Sequence, residues 1–352
     1  MAEPEPTVSL APATLSARAS RLLRQSFGYV IGGVCLIWVF HDIHIGRFLE
    51  EVRGINGWWV ALAVVFDIAS YVIQGLRWRF LLRPAGRISL LHAVQAIYAG
   101  LFTNEVFPMR FGELVRAYLA SRWASTRFVA VIPSMAVERL FDGVWLALGI
   151  GLAAMFVPLP RNLLEAGDVL GAIVLVGTAV FLYAAFRTQR APHQAKAPQS
   201  AGWKPRRAVK SAVEHMAGGL HALGRSRFFY AAFGLSLVLL LCQSLAFWLV
   251  MRAYGLRFSF WVGLAVLLIL HLGTAIPNAP GNVGAFQFFV VVGLALFGVE
   301  KTRAAGFSVV VFLILTIPLW AIGFLALSRS GTSLSAIRHD LRQRTASENP
   351  SR

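Results

Sequence analysis

The chain has 352 residues, 57% of them hydrophobic and only 14% charged. A soluble domain cannot carry so much apolar surface, so a soluble enzyme or binding module is excluded and a membrane protein is implied. The net charge of +17 does not point to nucleic acid, because the basic residues gather at the ends of apolar segments and in one loop, as in cytoplasmic regions beside anionic lipid.

Residues 1–26, rich in Ala, Pro, Ser and Thr at their start, read as a disordered cytoplasmic tail. Arg18, Arg21 and Arg24 precede the apolar run Phe27 to Phe40. His41-Asp42-Ile43-His44 follows in place of a small-residue cleavage site, so an uncleaved first span is expected. Apolar segments recur at about 27–45, 58–82, 90–107, 128–157, 169–186, 228–252, 259–276, 284–298 and 304–327, many near or above the length that spans a hydrocarbon core. Cys35 and Cys242 lie inside such segments as small apolar residues.

The charges between segments set an expected topology. Asp42, Glu50 and Glu51 against Arg47 and Arg53 place 41–57 outside, whereas Arg77, Arg79, Arg83 and Arg87 form a cytoplasmic boundary. Arg110, Arg116, Arg122 and Arg127 keep residues 88–127 tied to the cytoplasmic face at both ends, which a dip into the membrane satisfies, as does a full crossing if 109–127 returns as a second, more polar helix. The loop 187–227 has Glu214 as its only acid among nine Lys and Arg and is expected in the cytoplasm, as is the basic tail 328–352. Residues 256–303 then begin and end outside. The fold class expected is all-α: a polytopic transmembrane helical bundle over 27–327, with six crossings and two opposed re-entrant broken-helix hairpins.

The breaks resemble each other. Pro108-Met109-Arg110-Phe111-Gly112 and Pro280-Gly281-Asn282-Val283-Gly284 share a proline-to-glycine spacing after apolar runs of similar length. This is the arrangement of inverted-repeat transporters, whose broken helices flank a ligand site near the midplane. Pro108 interrupts the helix and Gly112 allows close backbone approach. Such a break must be buried in protein or face a polar cavity.

Asn104, Glu105, Arg110, Glu113 and Arg116 surround the first break, with Arg110, Glu113 and Arg116 spaced so that the acid can bridge two guanidinium groups. The planar fork of an arginine suits phosphate or carboxylate, so an anionic lipid headgroup is the expected guest. Glu138, Arg139 and Asp142 lie within an apolar segment, where ionised groups face the bundle interior and pair. At the second break, Pro277, Asn278, Pro280, Gly281, Asn282, Gly284 and Gln287 suit a turn whose following helix aims donors at a negative group. No metal site, cofactor loop or catalytic motif is recognisable; His41 and His44 with Asp42 make a poor ligand set.

The stretches Pro108–Arg116, Glu138–Asp142 and Ile276–Gln287 together resemble the transmembrane, flippase-like domain of lysylphosphatidylglycerol synthases, also found alone as a family of membrane proteins. The resemblance covers about 27–327. It implies a multi-pass protein of the bacterial inner membrane that moves an aminoacylated phospholipid or related lipid, with a polyprenyl-phosphate conjugate as another cargo. It marks Arg110, Glu113, Arg116, Glu138, Arg139, Asp142, Pro280, Gly281 and Gly284 as matching positions, and shows a departure at Gln287, where the family usually carries glutamate. In the full-length synthases a separate soluble domain transfers the amino acid, and neither that domain nor lipid lysylation is expected of this polypeptide. Two other functions compete: a lipid-modifying enzyme or glycosyltransferase with Glu105, Glu113 or Asp142 as base, and a scaffold that recruits a lipid-biosynthetic enzyme through the basic loop.

Overall fold

The computed structural model describes residues 29–41, 52–107, 111–159, 227–275 and 279–331, with a few single positions besides. Both tails, most of the apolar segment 169–186, the basic loop up to 226, and Pro108, Met109, Arg110, Ile276, Pro277 and Asn278 lie outside the described residues.

The described residues are helical, with no strand among them. Helix α1 runs Tyr29–Phe40 and ends in a turn at His41. Helix α2 (Gly57–Leu82) starts where the Asn56 side chain accepts from the Trp58 N–H at 3.0 Å, supplying a partner to an otherwise orphaned donor. Helix α3 (Leu90–Val106) is capped in the same way by Ser89, which accepts from the His92 N–H at 3.1 Å. Then come α4 (Gly112–Trp123), α5 (Phe128–Ala154), α6 (Arg227–Ala253), α7 (Phe260–Thr274), a 3-10 turn at Pro280–Asn282, α8 (Ala285–Ala295) and α9 (Lys301–Ser328).

Helices α2, α6 and α9 have the length and apolarity to cross a membrane; the 26 residues of α2 rise roughly 39 Å against a hydrocarbon core of about 30 Å. Helix α5 is as long, 27 residues, but carries Glu138, Arg139 and Asp142. At 12 and 11 residues, α4 and α8 are each too short to cross alone.

Two halves emerge from these lengths. Helices α2 to α5 have 26, 17, 12 and 27 residues, and α6 to α9 have 27, 15, 11 and 28. Among the described residues, each half is therefore a long helix, a broken pair of short ones and a second long helix. The two leading helices run antiparallel along each other: the Asn56 N–H at the start of α2 donates to the Ala253 carbonyl at the end of α6 at 3.2 Å, while Arg83 just past α2 stacks 3.6 Å over the ring of Phe228 at the start of α6. Equivalent helices of opposite direction make the repeat an inverted one.

Each half has its own core. Trp78, Ile97, Leu119 and a series of alanines (Ala93, Ala96, Ala99, Ala117, Ala120) fill the first, and Phe247, Leu268, Leu294 and Phe307 the second. The closing helices cross over to the opposite half. Gln95 of α3 donates to the Ala326 carbonyl of α9 at 3.0 Å, and Phe156, just beyond α5, stacks 3.9 Å from Trp261 of α7. Lipid is left to face the outward side chains of the long helices, among them Val65, Leu148, Tyr230 and Phe324, all exposed.

Candidate functional site

The first break is closed by backbone proximity. The Asn104 side-chain oxygen, in the last turn of α3, accepts from the Gly112 N–H at 2.7 Å, tying the two sides of the interruption together. A Cβ at Gly112 would run into the Gly100 carbonyl, so only glycine lets α4 fold back this tightly on α3. In the second break, Gly281 and Asn282 both take left-handed backbone, at φ 64° and 52°, and Gly284 follows at φ 89°. A Cβ on Gly284 would collide with the backbone of Gly32, so α1 seals that side of the turn.

The Gln287 side-chain oxygen accepts from the Gly284 N–H at 2.7 Å, and the residue is buried. Here the amide acts as an internal cap for the start of α8.

The two breaks meet. Glu105, one turn before the first, lies against Gly281 of the second: a Cβ there would stand 2.6 Å from a Glu105 carboxylate oxygen. The Trp320 ring N–H of α9 donates to that same oxygen at 3.4 Å. Pro280 and Asn282 flank this junction and are half-buried. Glu105 and Asn104 therefore belong to the meeting point of the hairpins, while Glu113, Arg116, Glu138, Arg139 and Asp142 collect elsewhere.

That second collection is an ion-pair cluster on α2, α4 and α5. Glu138 is at its centre, accepting from Arg77 of α2 at 2.7 Å, from Arg116 of α4 at 2.5 Å and from Gln74 at 3.0 Å. Arg77 also reaches Asp142 at 2.5 Å and the Ser236 hydroxyl of α6 at 3.0 Å. The other face of the Arg116 guanidinium stacks 3.8 Å over the Trp78 ring. At the rim, Arg139 donates to Glu113 at 2.7 Å and lies 3.8 Å from Asp142.

These contacts differ from the bridging expected along α4, because Glu113 turns to Arg139 of the next helix and Arg116 to Glu138. Three arginines face three carboxylates, so the cluster is charge-balanced within itself. Its centre is closed, with Arg77 and Glu138 0% and 2% exposed, whereas its rim is open, with Arg139 at 57% and Glu113 and Asp142 at 36%.

Arg77 is the member that charge counting misplaces, since it sits in a run of arginines that reads as a cytoplasmic boundary. The signal lies in its spacing from its polar neighbours. Asp67, Ser70, Gln74 and Arg77 fall at i, i+3, i+7 and i+10, a single helix face. In a membrane helix a polar stripe of that period faces protein, and Asp67, Ser70 and Arg77 are buried.

A family model described as the lysylphosphatidylglycerol synthase TM region matches residues 25–323. Two membrane proteins of Methanothermobacter thermautotrophicus named UPF0104 are similar to the chain. One is 24% identical over 75% of this chain and 81% of its own length, the other 23% identical over 87% and 95%. A glycosyltransferase AglD of Haloferax volcanii shares 36% identity over 97 residues, 27% of this chain and 15% of that protein. No solved structure matches.

Proposed function

The chain belongs to the lysylphosphatidylglycerol synthase transmembrane-region family and is a multi-pass membrane protein, and from that premise we propose that it moves an anionic lipid, a phospholipid or a polyprenyl-phosphate conjugate, between the leaflets of a cell membrane with both its termini in the cytoplasm. One observation carries the reading: Arg139 is held at the open rim of a charge-balanced cluster with a buried centre, on a long helix whose only other charged residues, Glu138 and Asp142, belong to the same cluster. Exposure of a guanidinium at such a position calls for a polar partner from outside the protein.

A lipid phosphate is suited to be that partner. The Arg77–Glu138–Arg116 core is fixed by mutual pairing and has little to offer a guest. Arg139, by contrast, can exchange the Glu113 carboxylate for a phosphate of similar geometry, and then return to Glu113 when the headgroup leaves. The inverted halves and the contact between their breaks supply the irregular, protein-enclosed backbone along which a headgroup could pass. Arg110, in the first break, is a further candidate for receiving it.

The test is transbilayer exchange of labelled headgroups in liposomes containing the purified protein. Acceleration is expected with an anionic lipid and loss of it in Arg139→Ala and Arg110→Ala. No acceleration across a panel of anionic phospholipids and polyprenyl phosphates would sink the reading.

A lipid-modifying enzyme is the second reading, favoured by the 97-residue likeness to a protein named as a glycosyltransferase. That match covers 15% of the relative. The enzyme would be supported by a modified lipid formed on incubating purified protein with a lipid acceptor and a sugar donor.

A further inference from the structure

The ion-pair cluster leaves out one buried acid. Asp67, near the middle of α2, is 6% exposed, and its Oδ2 has no hydrogen-bond partner among the described residues. Tyr98 of α3 is 2% exposed, and its hydroxyl has none either. The Tyr98 ring packs 5.1 Å from that of Tyr71, one turn along α2 from Asp67, and Asp67 lies within electrostatic reach of both phenols, as Glu105 does of Tyr71.

We infer that Asp67 is an intramembrane proton-binding carboxyl, with Tyr98 and Tyr71 as the hydroxyl groups beside it. The reason is electrostatic balance. A bare carboxylate at this depth is costly, and among the described residues no unpaired cation stands beside it. On α2 itself, Arg77 stands ten residues on, roughly 15 Å along the helix, and is taken up by Glu138 and Asp142. From α3 come Tyr98, Glu105 and, at its far end, His92; α5 brings Glu138, Arg139 and Asp142, which pair among themselves and with Arg77 and Arg116 and Glu113.

Helix α6 has charged residues only at its ends, Arg227 and Arg252, and its antiparallel register sets Cys242 level with Asp67. Helix α9 has no charged side chain between Ala304 and Ser328. Taking up one proton on Oδ2 turns Asp67 from an uncompensated anion into a neutral carboxylic acid, which removes the cost of a bare charge at this depth. Two or three oxygens are enough for a proton and too few for the oxygen shell a hard metal cation takes. A carboxyl that gains and loses a proton at this depth is the element a proton-driven membrane transporter needs.

The test is infrared difference spectroscopy of the full-length protein in nanodiscs while pH is stepped. A protonated-carboxyl carbonyl band should grow as pH falls, be lost in Asp67→Asn, and shift in frequency in Tyr98→Phe, which keeps the ring packing. A spectrum without such a band, or a band that survives in Asp67→Asn, overturns the proposal. So does a band displaced by sodium at constant pH, which would make the site one for a metal cation. The measurement requires no lipid movement, so failure here and failure of the lipid-exchange experiment are separate results.

Discussion

Arg77 of α2 donates to Glu138 of α5 across 2.7 Å, with neither side chain more than 2% exposed. The pair joins two long helices of the first half through a bond that lipid cannot reach. Because Arg116 of α4 shares the same carboxylate, one acid fixes the relative positions of the leading helix, the returning arm of the hairpin and the closing helix.

Glu138→Gln should therefore be strongly destabilising. It leaves the buried Arg116 guanidinium without its counter-charge and Arg77 with Asp142 alone, a loss of about 3–5 kcal/mol. Thermal unfolding in detergent should show a clear fall in Tm relative to the parent. Glu113→Gln, which breaks a half-exposed pair at the rim, should cost less than about 1 kcal/mol.

The rim and the centre should separate stability from transport. Arg139→Ala is expected to fold with nearly unchanged Tm yet lose headgroup exchange, whereas Arg77→Ala should lower both. Exchange at the parental rate in a well-folded Arg139→Ala protein would remove the rim from the mechanism.

Gly112→Ala should disturb the first hairpin, since its new Cβ would press on the Gly100 carbonyl. Overpacking of this kind costs on the order of 1–3 kcal/mol. Gly281→Ala should strain the second break, through left-handed backbone and crowding of Glu105 together. Limited proteolysis of each variant in nanodiscs should reveal faster cleavage near the altered break.

Inverted halves imply opposite exposure of equivalent loops. Ser89 and Ser259 precede α3 and α7, and both are exposed. In a background without Cys35 and Cys242, Ser89→Cys and Ser259→Cys should react with a membrane-impermeant maleimide from opposite sides of the membrane. Labelling from the same side would rule out the inversion.

Much of the fold was legible because hydrocarbon imposes length and composition directly. Helices α2, α6 and α9 fall within a few residues of the apolar segments 58–82, 228–252 and 304–327, and the helices stop at both Pro/Gly breaks, where glycine allows close backbone approach at Gly112 and left-handed backbone at Gly281 and Gly284. The internal echo was readable too, since a proline-to-glycine spacing recurs between the two short helices of each half.

Partners within the site were legible only in part. The sequence singled out Glu138, Arg139 and Asp142 because charges inside an apolar run are conspicuous, and the i, i+3 spacing brought Arg139 to Asp142. It did not bring Arg77 to Glu138, sixty-one positions away, or leave Asp67 without a partner. By itself the sequence determined which segments are helices in a membrane and where they break, because those follow from local hydrophobicity and backbone chemistry. Tertiary structure alone decided which charges neutralise one another and which remain open, because a Coulomb pair depends on distances of a few ångströms between helices whose packing no single segment encodes.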